Sequence, residues 1–356
     1  MCMSLLNFMP LYIRCGISFA SDFYVNHIGS DYSEEVFSDP IKRYKQEKKE
    51  QDFKVEKYPD FYPDGKKKTH PRLGIGVATI PKCWGCEIKF QETMTPTARP
   101  LLDQGADPLS LKEPNLEDSM QWLFEEIDVL LEQGWKKEHL NLPDLQGPLN
   151  LSMKLAGDNR MLSLIARKNK DKEVKHILEK SSNVYIDITK KLRKETGRSI
   201  KTNWSVSGCT YYYLRPPQWE KYIIPVIEKC REELGNGVRL HHCGKADANM
   251  MDSYKKIQWN SLEFGFGSDL NYARQNFINP KLGPLDISCR ISPYRMLNQT
   301  TDQIRRDVES ITSQIKGGPV SINVVGCPNN TPDENLWALW NAVQAYNKKK
   351  EEEEMQ

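Results

Sequence analysis

Short apolar runs alternate with longer amphipathic stretches along most of this chain. The runs cover residues 74–80, 139–145, 200–207, 238–243, 262–266, 285–291 and 320–325, each short enough for a buried strand. Helical periodicity follows over 219–234, 269–277, 301–315 and 332–346. Thr300 or Thr301, and then Thr331, stand where an N-cap is wanted, with acidic residues just inside the helix. Repeated strand-then-helix units predict an α/β protein, and their number favours a (β/α)8 TIM barrel over an open doubly wound sheet. No G-x-G-x-x-G follows an early strand, which argues against a dinucleotide-binding domain. In a barrel, reactive groups come from the C-terminal ends of strands and the loops after them.

The two ends read differently. Residues 31–70 are polar, with Lys48-Lys49-Glu50 and Lys66-Lys67-Lys68 inside a Tyr-, Pro- and Asp-rich stretch. The expected organisation is an N-terminal polar and helical extension over 1–70 packed on the barrel. The catalytic barrel follows over 71–347, with a charged tail over 348–356 that ends as a fraying helix. Met1–Met9 faintly resembles a leader peptide, but no basic segment precedes it, and Arg14 and Asp22 interrupt it.

Composition narrows the function classes. The 356 residues, 38% hydrophobic and 28% charged, describe an ordinary globular chain. A net charge of +2 gives no reason to expect a nucleic-acid or membrane partner. No run approaches the ~18 apolar residues of a membrane span. Nine cysteines at scattered spacing fit a reducing cytoplasm, where thiols are free to bind metal.

The candidate chemistry lies at two strand ends. Val238-Arg239-Leu240-His241-His242-Cys243-Gly244 closes one apolar run, and Val324-Val325-Gly326-Cys327-Pro328 closes another. Residues i and i+2 of a strand share a face, so His241 and Cys243 point together and His242 points away. One nitrogen and two sulfurs, from His241, Cys243 and Cys327, suit a zinc ion with an open fourth position. Taken alone, H-x-C is a weak signal, because cysteine is often a small buried hydrophobe. Glu263, a carboxylate inside the next apolar run, demands a partner. It is either a conditional fourth ligand or an acceptor or ion-pair partner behind the site. Cys83-Trp84-Gly85-Cys86 has no second C-x-x-C to complete a structural zinc site and reads as two ordinary cysteines in a turn. Cys209 and Cys289 fall near strands as candidates to line the pocket, but neither has metal spacing. Trp204, Tyr211, Tyr212 and Tyr213 serve as pocket walls or as barrel-to-helix packing.

Leu240-His241-His242-Cys243-Gly244, then Gly326-Cys327-Pro328 before Thr331-Pro332-Asp333-Glu334-Asn335, resemble the uroporphyrinogen decarboxylase superfamily. The branch they resemble is that of zinc-containing, corrinoid-dependent methyltransferases such as methylcobamide:coenzyme M methyltransferases. Gln146-Gly147-Pro148-Leu149 with Leu155-Ala156-Gly157, and Gly283-Pro284-Leu285-Asp286, are similar to further landmarks of the superfamily. The resemblance covers roughly residues 70–346. Ile13-Arg14-Cys15-Gly16 does not reproduce the arginine-rich segment of the decarboxylases. The resemblance implies zinc on His241, Cys243 and Cys327, with Glu263 joining by analogy to cobalamin-independent methionine synthase. It further implies a corrinoid carried by a partner protein and a small methyl donor or thiol acceptor, with transfer in either direction. The alternatives are a tetrapyrrole decarboxylase and a non-catalytic corrinoid- or porphyrin-binding barrel.

Overall fold

The computed structural model describes residues 12–63, 69–102, 105–207, 209, 213–279, 283–315 and 317–355. Tyr211 and Tyr212 lie outside these residues. Six parallel strands form the main sheet: β1 (Ile13–Phe19), β2 (Trp204–Ser207), β3 (Val238–His242), β4 (Ser261–Gly265), β5 (Asp286–Ile291) and β6 (Val320–Cys327). Their spatial order is β1-β6-β5-β4-β3-β2. Two extended segments supply the remaining barrel positions. Ser207 N–H donates to the Gln146 carbonyl at 2.9 Å, joining residues 141–146 to β2. Arg72 in turn bridges Asn141 in parallel. The architecture is a (β/α)8 barrel.

Two expectations change here. The first strand of the sheet is Ile13–Phe19, drawn from the stretch expected to be an extension. Its outward residues Ile13, Ile17 and Phe19 are buried, while Arg14 faces the lumen. Residues 74–80 are not a strand; they form a 3-10 turn, Gly76–Ala78, and the start of a helix, Thr79–Cys83. Gly74 and Gly76 take φ of 71° and 64°, outside the range of extended backbone. Thr79 Oγ1 fixes the turn by accepting from Ile75 N–H and donating to the Gly76 carbonyl. The last helix, Asp333–Met355, runs through the charged tail without a break.

Between β1 and residue 72 the chain forms helix α1 (Pro40–Lys57). The buried Arg43 on α1 pairs with Glu126 at 2.9 Å, on a helix α2 (Gln121–Glu132), and tethers this segment to the barrel. Glu126 also accepts from Gly74 N–H at 2.8 Å, so both of its links are buried and satisfied.

Outward-facing strand positions are apolar and packed under helices, as in Val238 and Leu240 on β3 and Ile287, Cys289 and Ile291 on β5. Inward positions are polar. Ser205 and Ser207 project from β2, Arg239 and His241 from β3, and Ser261 and Glu263 from β4. Barrel interiors are ordinarily filled by layers of Val, Ile and Leu. Here the same positions line a cavity of about 560 Å³.

Candidate metal centre

The strand registers put the key side chains in one row. Ser207 pairs with His241, and His241 with Glu263. Cys209, two residues past β2, and Cys243, one residue past β3, lie above this row at the C-terminal mouth. The donor atoms of Cys209, His241 and Cys243 all lie within 4.8 Å of one another, a group able to hold a metal ion. His241 Nε2 is 2.8 Å from Cys243 Sγ, and Cys243 Sγ is 3.2 Å from Cys209 Sγ. Two sulfurs and an imidazole nitrogen form a soft, borderline donor set that fits zinc.

Electrostatics reinforce the grouping. The Cys243 thiol donates to the Cys209 sulfur, and that bond lowers Cys209 well below the ordinary thiol range, against its own burial. The His241 ring and the Asn150 amide, whose Nδ2 is 3.6 Å away, add to the lowering. The same bond to Cys209, with burial, raises Cys243. Burial works to lower His241, yet the Cys209 sulfur and the Glu263 carboxylate hold its pKa up at about 9. The half-buried group thus favours negative charge on the Cys209 sulfur beside His241, and thiolate is the form in which cysteine ligates a metal ion.

Glu263 Oε1 contacts His241 Nδ1 at 2.5 Å and is also held by Arg290. This leaves Nε2 to face the sulfurs. A carboxylate on the far nitrogen of a ligating imidazole fixes the tautomer and ring orientation. Arg290 comes from β5, and its Nη1 stands 3.4 Å from His241 Nε2.

Cys327 does not join this group. Ile17 pairs with Val324 but Phe19 with Cys327, so two steps on β1 span three on β6. Gly326 takes φ 79° within this bulge. The extra residue puts Cys327 in phase with the outward-facing Phe19. Its side chain is fully buried near Tyr24, Tyr58 and Tyr62, and burial pushes the thiol up to about 12.

His242 points behind the sheet, where its Nδ1 lies 2.8 Å from the Tyr254 hydroxyl and burial lowers its pKa to about 4. Cys83 and Cys86 are buried, and burial pushes them up to about 12 and about 11, the behaviour of inert thiols. Trp204 is a packing residue whose indole donates to the Gly235 carbonyl at 2.8 Å. Tyr213 is exposed. Cys209 is legible in the sequence only as a pocket-lining candidate, because no other ligand type lies within a few residues of it. The usable signal was phase: Cys209 continues the inward alternation of Ser205 and Ser207.

Gln146-Gly147-Pro148 supports the site from below. Gln146 adopts φ 53°, and Gly147, φ 100°, lies so close to β2 that a Cβ would stand 2.9 Å from the Ser205 carbonyl. Pro148 then opens helix α3 (Pro148–Ala156), which carries Asn150 to Cys209.

The fold and site define a (β/α)8 barrel with a Cys/His/Cys group at its C-terminal mouth. The uroporphyrinogen decarboxylase (URO-D) family model matches residues 72–346, and the chain belongs to that family. In fold it is similar to a methyltransferase from Methanosarcina mazei, with a TM-score of 0.61 and 14% identity. That match covers 95% of this chain and 94% of the other. No curated protein matches the chain. Among the described residues, no helix is long and apolar enough to cross a membrane.

Proposed function

We propose that this protein is a zinc-dependent methyltransferase that moves a methyl group between a corrinoid protein and a small thiol, in either direction. The observation that carries the reading is the convergence of Cys209, His241 and Cys243 at the barrel mouth. The fold likeness to a methyltransferase supports it. Cys209, His241 and Cys243 would hold the zinc, with Cys209 in the place expected of Cys327. When bound, zinc lowers the pKa of a substrate thiol and holds it as the nucleophilic thiolate. Glu263 orients His241, and Arg290 keeps Glu263 in place. Asn150 donates to the Cys209 sulfur and tempers its charge. The corrinoid protein would cover the C-terminal mouth, and the reaction would take place in a reducing cytoplasm.

The rival is the activity in the family's name, decarboxylation of a tetrapyrrole, which has no use for a Cys/His/Cys group. Zinc-loaded protein incubated with methylcobalamin and a panel of small thiols is expected to form methyl thioether, and Cys243→Ser to abolish it. Absence of transfer to any thiol, together with decarboxylation of uroporphyrinogen, would overturn the proposal.

A further inference from the structure

Beneath His241 and Glu263 the lumen is an open polar chamber of about 560 Å³. Arg14 and Arg239 reach solvent at its other end. Most of its charges are already partnered: Arg14 holds Asp286 at 2.5 Å, and Glu263 is held by His241 and Arg290. Arg239 and Asp144 face the same chamber and form no ion pair among the described residues. Among the described residues, Asp144 accepts the Gln146 N–H, at 3.2 Å, and no other donor.

These two charges stand on strand segments separated by β2. The segment carrying Asp144 bonds to β2 through Gln146, and β2 pairs with β3, with Ser205 opposite Arg239. Two strand spacings put the backbones ~10 Å apart. Ser205 and Ser207 of β2 line the chamber between them. A lone anion in the chamber would meet the carboxylates of Asp144, Asp286 and Glu263 as well as the arginines. A lone cation would meet Arg14 and Arg239. A molecule bearing both charges meets each with its opposite.

We propose that the barrel lumen binds a small zwitterion, an ammonium carboxylate, with its carboxylate on Arg239 and its ammonium on Asp144. A guanidinium is suited to hold a carboxylate through two parallel hydrogen bonds. The His241–Glu263 pair forms the ceiling, so this ligand lies under the sulfur–nitrogen group and does not compete for it. The site is independent of the proposed methyl transfer and stands or falls without it.

Calorimetric titration with glycine, β-alanine and 4-aminobutyrate tests this, against acetate and methylammonium at matched ionic strength. One of the amino acids is expected to bind saturably at one site, ~10-fold or more tighter than either singly charged probe. Arg239→Gln and Asp144→Asn should each weaken it by a similar factor, while Arg305→Gln, in an exposed pair with Asp302, leaves it unchanged. Ser205→Val, which fills the gap but keeps both charges, should also abolish binding, so the test survives misfolding of a charge variant. Acetate binding as tightly as the amino acid would show a plain anion site and overturn the proposal. So would the lack of saturable binding by every probe, or parent-like binding by both charge variants.

Discussion

Glu263 decides how well His241 can serve as a ligand. Its carboxylate sits on Nδ1, and without it the ring is free to rotate or to present the wrong nitrogen. Glu263→Gln preserves size but replaces the charge. It is expected to weaken zinc binding by ~10–100-fold while leaving the unfolding midpoint nearly unchanged. Competition with a chromophoric chelator measures the affinity, and an unchanged value would remove Glu263 from its orienting role. His241 and Cys243 were legible as a pair because the i, i+2 phase of a strand does not depend on tertiary structure. Cys327 was grouped with them because it closes a second apolar run, and a bulge is invisible in such a run. Only the register between β1 and β6 reveals that Val325 and Gly326 share one step.

At the scale of elements, the contact between β4 and the loop after β3 holds Cys243 in place. Gly265 ends β4, and a Cβ there would stand 2.5 Å from the Cys243 carbonyl oxygen and 2.7 Å from Gly244 backbone atoms. Gly265 N–H also donates to the Gly244 carbonyl at 2.9 Å. Backbone cannot yield as a flexible side chain does. Gly265→Ala is therefore expected to cost about 1–3 kcal/mol in urea unfolding and to reduce the zinc retained after purification. Parent-like stability with full metal content would show that the loop is free to move. Strands β3 to β6 were readable from apolar runs, since they are buried under helices on one face. The segment 141–146 was legible as the apolar run 139–145, whereas 71–73 was missed in favour of 74–80, because it shows only an isolated bridge to Asn141. Strand β1 escaped because Arg14, Gly16 and Ser18, the inward phase of its alternation with Ile13, Cys15, Ile17 and Phe19, read as a polar interruption unless the lumen is known to be polar.

At the scale of the whole molecule, the N-terminal segment is joined to the barrel through buried charge. Glu47 on α1 is pushed up to about 7, chiefly by burial and further by Glu50, while Arg72 and Arg43 pull it down. The folded value lies above the ordinary carboxylate value of 4.5, so folding favours the protonated acid. That contribution is complete below about pH 4.5 and is lost as pH rises through about 7. Glu47→Gln should match the parent near pH 4.5 and exceed it by about 1–2 kcal/mol at pH 8 in urea unfolding. A difference that does not change with pH would contradict this assignment. At the C-terminal mouth of the barrel, Cys209, His241 and Cys243 meet. Zinc-edge X-ray absorption of the metal-loaded parent, Cys209→Ser and Cys327→Ser proteins tests this grouping most directly. Two sulfur ligands at ~2.3 Å are expected in the parent and in Cys327→Ser, and one in Cys209→Ser. Loss of a sulfur ligand in Cys327→Ser, with both retained in Cys209→Ser, would contradict the account.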